Sequence, residues 1–144
     1  MRDFSRSLPM ALLTTREAVM DRFRPSLRAF GVTEQHWRVL RALYGRGKVE
    51  TGELAGLCCL LNPSLSRILK RLEAAGHVTR CRVPSDRRRT MVAIAPAGRA
   101  LLERRAPFSE AEYHAIEEAF GKQRLAALYE TLEDLRKALE EPGC

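Results

Sequence analysis

The sequence predicts a mainly α-helical chain with one small β-hairpin, and two observations predict it. In residues 62–91 an amphipathic helix of about four turns is followed at once by two short β-rich runs around an arginine-loaded turn. At both ends of the chain, apolar residues recur at three and four over stretches longer than a small domain needs for its own core. A helix with a polar outer face followed by a basic hairpin is the outline of a winged helix, here flanked by N- and C-terminal helices.

The first helix is expected over residues 8–30, where Leu8, Leu12, Val19, Phe23, Leu27 and Phe30 form the stripe and Pro25 should bend the axis. Arg16 is set among Leu12, Leu13, Val19 and Met20, so its guanidinium needs a partner. An ion pair, within the chain or between subunits, is one solution and a carboxylate ligand is another. Thr33 suits the N-cap of a second helix carrying Trp37, Val39, Leu40 and Leu43, which Tyr44-Gly45-Arg46-Gly47 ends. Trp37 and Arg41 are four apart on it. That places an aromatic plate beside a guanidinium, which suits an aromatic acid and equally describes a core tryptophan with a snorkelling arginine.

A short third helix is expected over residues 51–59, with Leu54 and Leu57 inward. Asn62 then offers a side-chain cap and Pro63 the φ of a first helical position. Leu65, Ile68, Leu69 and Leu72 make the buried stripe of the fourth helix, leaving Ser64, Ser66, Arg67, Lys70 and Arg71 outside until Gly76 stops it. Two helices joined by a turn of a few residues, the second basic outside, match a helix-turn-helix. The hairpin follows, with runs at residues 77–83 and 90–95 around Pro84-Ser85-Asp86-Arg87-Arg88-Arg89. A further helix opens at Pro96 and should end near Arg105, because Pro107-Phe108-Ser109 reads as an interruption with Ser109 as a new cap. Tyr113, Ile116 and Phe120 share the next face, and Gly121 punctuates again. The last helix carries Leu125, Leu128, Leu132, Leu135 and Leu139 as a seam over two heptads. The terminal helices together offer more apolar stripe than one winged domain would bury, so a homodimer is expected.

The formal net charge of +7 is polarised. Residues 62–91 hold eight basic side chains against Glu73 and Asp86, whereas residues 103–141 hold ten acidic against six basic ones. A basic patch confined to one helix and one hairpin suits a polyanion such as double-stranded DNA, and an acidic remainder keeps the rest of the chain off its phosphates. A membrane surface fits less well, since the basic helix carries serines rather than large apolar residues on its outer side. With no signal-like segment or apolar run long enough to span a bilayer, a cytoplasmic location is expected. Cys58, Cys59, Cys81 and Cys144 are expected to remain thiols there.

Catalytic chemistry is not indicated, and the chain reads as no enzyme. His36, His77 and His114 are scattered over different elements, and His77 and Cys81 on one strand would stand roughly 13 Å apart, too far to share a zinc. Neither a glycine-rich phosphate loop nor a paired-histidine helix occurs. No metal and no cofactor are therefore expected. A redox-sensing thiol beside the basic face and a protein-interaction module working through the leucine-lined ends are the competing readings.

The chain resembles the MarR family of winged-helix transcription regulators over its whole length. The residues that carry the resemblance are Thr33, Trp37, Leu40 and Leu43, then the run from Pro63 through Ser64, Arg67, Lys70 and Arg71 to Glu73, then Gly76-His77-Val78-Thr79-Arg80. Asp86-Arg87-Arg88-Arg89 followed by Ile94-Ala95-Pro96-Ala97-Gly98 completes it, with Ala95 standing where the family usually has a capping threonine. Within the family, Ser7-Leu8-Pro9-Met10-Ala11-Leu12-Leu13, Arg16-Glu17-Ala18 and Gln35-His36-Trp37-Arg38 are similar to regulators of homoprotocatechuate (4-hydroxyphenylacetate) degradation operons.

The resemblance implies a single domain over residues 1–144, with a DNA-binding lobe at 33–95 and a dimerisation lobe at 5–31 and 96–141. It implies a dimer that represses, and that leaves a pseudo-palindromic operator when a small phenolic or aromatic carboxylate binds between the lobes. On the helix, Ser64, Ser66 and Arg67 are placed to read base edges, while Lys70, Arg71 and Arg82 are placed to hold phosphates. Asn62, Pro63, Arg87 and Arg89 complete the expected DNA face. The family pattern assigns Arg88 to the minor groove with Asp86 orienting its guanidinium. By position, Ser7, Trp37, Arg41 and Tyr113 match the effector pocket of this subgroup, and Arg16 lies close by.

Overall fold

The computed structural model describes residues 1–140, and among these it contains six α-helices and a three-stranded antiparallel sheet. Cys144 and Glu141, to which the sequence reading extends, lie outside the described residues. The chain divides into two units, Met1–Pro107 and Phe108–Cys144.

In the first unit, a short 3-10 turn precedes α1 (Leu8–Ala29), which contains Pro25. Helix α2 (Glu34–Leu43) starts as expected at Thr33, whose Oγ1 accepts the His36 N–H at 3.1 Å. Helix α3 (Thr51–Cys58) and helix α4 (Asn62–Ala74) form the helix-turn-helix, with Cys59 between them in the left-handed region at φ 53°. Leu65, Leu69 and Leu72 of α4 are buried with Leu40 and Leu43 of α2 and Leu54 of α3 in one core. Each such leucine contributes about 1.5–3 kcal/mol by leaving water. Leu57 departs from expectation, being 45% exposed: the inner face of α3 runs through Leu54, Ala55 and Cys58.

The start of α4 also differs from the sequence reading. Leu61 is the N-cap and makes no side-chain cap bond, so Asn62 is already the first helical residue and Pro63 the second. The missing N–H of proline costs nothing in the first turn, so the helix starts one residue early. Its end is as expected: Gly76 takes φ 78°, its N–H bonds the Glu73 carbonyl, and the His77 N–H bonds the Leu72 carbonyl, which closes the last turn.

Strands β2 (Val78–Val83) and β3 (Asp86–Ile94) make the hairpin. Its turn is only Pro84-Ser85, tighter than the six-residue turn expected. The ladder runs regularly from Val78↔Ile94 to Arg82↔Thr90, then shifts, and the next pair is Val83↔Asp86. Arg87, Arg88 and Arg89 therefore occupy an irregularity in β3 rather than a loop, and such insertions re-aim side chains. A short strand, β1 (Val49–Glu50), missed in the sequence, pairs with the other side of β3 through Val49↔Val92 and Glu50↔Met91. The sheet order is β1-β3-β2.

Helix α5 (Pro96–Phe120) continues through the proposed interruption, with Pro107 and Ser109 both inside it. Proline removes one hydrogen bond of the ladder, and the residues on both sides retain helical geometry. At its start, a Cβ on Gly98 would run into the His77 carbonyl oxygen, so the helix approaches the root of the hairpin with no room for a side chain. In the second unit, Gly121 at φ 108° separates α5 from α6 (Lys122–Glu140). Leu128, Leu132 and Leu139 of the predicted seam are exposed, as are Leu8, Leu12, Leu13 and Val19 of α1. No described helix is long and apolar enough to cross a membrane.

Candidate nucleic-acid interface

Helix α4 presents Ser66, Arg67, Lys70 and Arg71 to solvent, with Ser64 half-buried beside them. The packing of Leu65, Leu69 and Leu72 fixes this rotation about the helix axis, since residues at i, i+4 and i+7 hold one side down. Arg67 Nη2 comes within 3.5 Å of Ser64 Oγ. Beyond the helix end, Arg80 Nη2 donates to Glu73 Oε1 at 2.9 Å, which ties β2 to α4 and holds the Glu73 carboxyl below the usual range. Glu73, Arg80, Cys81, Arg82 and Thr90 line one groove of about 270 Å³, so helix and hairpin form a continuous surface.

The hairpin's three consecutive arginines have different fates. Arg89 reaches back to β1, where its Nε and Nη2 both donate to Glu50 Oε2 at 3.2 and 2.9 Å. This bond holds the Arg89 guanidinium protonated and anchored. Asp86 Oδ1 accepts the backbone N–H of Arg88 at 3.1 Å. The expected Asp86 contact is therefore to the main chain of Arg88 and not to its guanidinium, because two residues of separation suit a side-chain-to-backbone turn. Lys70, Arg71, Arg82, Arg87 and Arg88 have no carboxylate partner among the described residues.

The residues assigned to an effector are placed as follows. Ser7 is half-buried at the N-cap of α1. Arg16 donates to Glu34 Oε2 at 3.0 Å, which realises the ion-pair account of that arginine within the chain. Arg24 joins the same cluster, bonding Glu17 at 2.7 Å, Asp21 at 2.7 Å and Glu34 at 3.2 Å. The Glu17 bond, opposed by burial and helped by Asp21 and Glu34, raises the Arg24 pKa well above the usual range. Burial alone would push the Glu34 carboxyl up, but the hydrogen bonds from Arg16 and Arg24 outweigh it and hold it low.

Trp37 is half-buried against the core. Its guanidinium neighbour is not Arg41, whose Cζ lies over the Tyr44 ring at 5.7 Å, but Arg105, whose Cζ lies 4.5 Å from the Trp37 ring centroid. Arg105 is 1% exposed and donates from Nε and Nη2 to Ser26 Oγ at 3.1 and 2.9 Å. The sequence reading missed it, although the signal existed: Leu101 and Leu102 lie four and three residues before it, the same apolar setting that singled out Arg16. Tyr113 stands on the part of α5 that belongs to the second unit, 41% exposed.

Cys58 is buried, and burial pushes its thiol pKa up, so it behaves as a core side chain. Cys59 and Cys81 are exposed and free. No group of three or more potential metal ligands occurs among the described residues.

A family model described as MarR family matches residues 32–90, the span of the helix-turn-helix and most of the hairpin. An HTH-type transcriptional regulator, FarR of Neisseria gonorrhoeae, is 37% identical over 131 residues, covering 91% of this chain and 90% of its own. The homoprotocatechuate degradative operon repressor of Escherichia coli is 37% identical over 128 residues, covering 89% and 86%. The crystal structure of NadR in complex with 4-hydroxyphenylacetate superposes with a TM-score of 0.81 at 36% identity, covering 95% of this chain and 97% of that one.

Proposed function

The chain belongs to the MarR family of transcriptional regulators, and on that premise we propose that it binds a pseudo-palindromic DNA operator as a cytoplasmic homodimer, represses, and is released by a small aromatic carboxylate. The observation that carries the DNA reading is the set of six cations without carboxylate partners among the described residues, Arg67, Lys70, Arg71, Arg82, Arg87 and Arg88, spread over α4 and the hairpin. Unpaired cations on one surface release condensed counterions when they meet phosphates, which is the main source of affinity.

In this reading, α4 enters the major groove. Ser64, Ser66 and Arg67 face base edges, with Asn62 and Pro63 bringing the first turn of the helix close. Lys70, Arg71, Arg82 and Arg87 hold phosphates, and Arg88 reaches the minor groove from a backbone that Asp86 fixes. Arg89 contributes by securing the hairpin to β1. The exposed leucines of α1 and α6 supply the dimer contact.

The effector reading draws on NadR with its 4-hydroxyphenylacetate, and on Ser7, Arg16, Trp37, Arg41 and Tyr113 as the pocket. A carboxylate held by Arg41 and an aromatic ring stacked near Trp37 would favour a spacing of the two recognition helices that misses successive grooves. Electrophoretic shift with the DNA upstream of the chain's own gene tests the first part: retention against competitor is expected, and equal loss to competitor overturns it. Calorimetry with 4-hydroxyphenylacetate and related acids tests the second, and absence of heat with all of them removes the pocket while leaving DNA binding intact.

A further inference from the structure

A groove of about 290 Å³ lies between the first turn of α2 and the outer side of α4. Leu60 and Ile68 are its apolar lining, and the polar groups it gathers are Thr33 at the cap of α2, Gln35 and His36 from α2, and Ser64, Arg67 and Arg71 from α4. No carboxylate lines it. The nearest in sequence, Glu34, has both oxygens engaged by Arg16 and Arg24. Two guanidinium groups, an imidazole, an amide and two hydroxyls therefore converge on one recess, and no carboxylate among its lining residues neutralises them. Its wall is shared with Ser64 and Arg67, which face the duplex in the reading above, so the recess opens where a DNA strand would pass.

We infer that this groove seats one backbone phosphate of the bound duplex, gripped by His36 from α2 and Arg71 from α4. This rests on the DNA-binding reading and adds α2 to the set of elements that touch DNA. In the free protein, burial first, and then the charges of Arg71 and His77, hold the His36 imidazole below its usual pKa. The groups facing it are Arg67 and Arg71 on α4 and His77 beyond that helix, all cationic or able to become so. A phosphate entering the recess offsets Arg71 and supplies an acceptor, so the imidazolium becomes the favoured form. Binding then takes up a proton, and affinity rises as pH falls.

Fluorescence anisotropy with the full-length protein and duplex from upstream of its gene, run from about pH 8 to about pH 6 at constant ionic strength, tests this. The parent should tighten toward low pH, with a ceiling of about tenfold per pH unit for each protomer. His36→Gln should flatten the profile, and at the acid end should reduce the salt slope by about 0.9 per groove. His77→Gln should still tighten toward low pH, with the rise moved to higher pH because one of the charges opposing the His36 imidazolium is gone. A flat parental profile, or an unchanged one in His36→Gln, overturns the inference. Failure of the parent to bind any duplex overturns the DNA reading itself, before pH is varied.

A second measurement does not depend on any variant folding. The His36 ring proton titration, followed by NMR in the parent, should move up on adding duplex. No movement overturns the inference, and an equal movement with inorganic phosphate alone at low millimolar concentration assigns the groove to a free anion and overturns the duplex assignment.

Discussion

The Arg105 guanidinium lies 4.5 Å from the centroid of the Trp37 ring while both its Nε and Nη2 donate to Ser26 Oγ. A buried cation is thereby held between α1, α2 and α5. Cation–π contacts of this kind contribute about 2 kcal/mol when desolvated. Arg105→Met should lower stability by roughly 2–4 kcal/mol, because it also leaves the Ser26 hydroxyl without those donors. Trp37 is the chain's one tryptophan, so its emission should change in the folded state as well. Urea unfolding followed by that emission is the measurement; an unchanged midpoint and spectrum would show that the contact contributes little.

Glu34 joins α1 to α2 through Arg16 and Arg24, and its carboxyl is held below the ordinary value of 4.5. A carboxyl depressed in the folded state adds stability above its unfolded pKa, and that stability is lost as pH falls through the folded value. Glu34→Gln should therefore be less stable than the parent at neutral pH, and the gap should close in acid below about pH 4.5. Thermal melts at neutral and acid pH check this, and a gap that persists in acid would assign the loss to packing instead.

Gly98→Ala should be costly even though alanine favours helices. The added methyl meets the His77 carbonyl, which is backbone and cannot rotate away, at the joint between α5 and the root of the hairpin. Overpacking of this kind costs about 1–3 kcal/mol. A melting temperature equal to the parent's would mean that the joint opens freely.

Arg88→Ala and Arg89→Ala should differ although the residues are adjacent. Loss of Arg88 should weaken DNA binding with the fold unchanged. Loss of Arg89 frees β1 from the hairpin, so it should act on hairpin stability first. Anisotropy paired with amide hydrogen exchange across residues 78–94 separates the two. Equal exchange in both variants would remove the anchoring role of Arg89.

The helices and the buried faces of α2 and α4 were legible in the sequence because leucine spacing and the Thr33 cap are local signals that tertiary packing here reinforces. The basic surface of α4 was legible for the same reason, since its rotation is dictated by Leu65, Leu69 and Leu72. Where reading failed, long-range partners decided. Strand β1 is two residues long and exists because β3 offers Val92 and Met91 to it, which no local pattern announces. Pro107 predicts a break because its local rule is strong, yet α5 carries it. Spacing points Leu57 inward, but a helix of only eight residues does not enforce it. The partner of Trp37 came from α5, 68 residues away, while Arg41, one turn along, went to Tyr44.

The uneven pairing of β3 gives the hairpin a graded stiffness. At its root, Met91 and Val92 are flanked by strands on both sides; from Thr90 outward only β2 remains, and past the register shift a single pair, Val83↔Asp86, closes the tip. Two-stranded ribbons are weakly held and twist more readily than wider sheets. The hairpin is thus a tapered spring clamped at one end, with Arg87 and Arg88 on its compliant part and Arg89 bolted to the clamp. Such a part can follow local differences in groove width from one binding site to another while α4 keeps its own register.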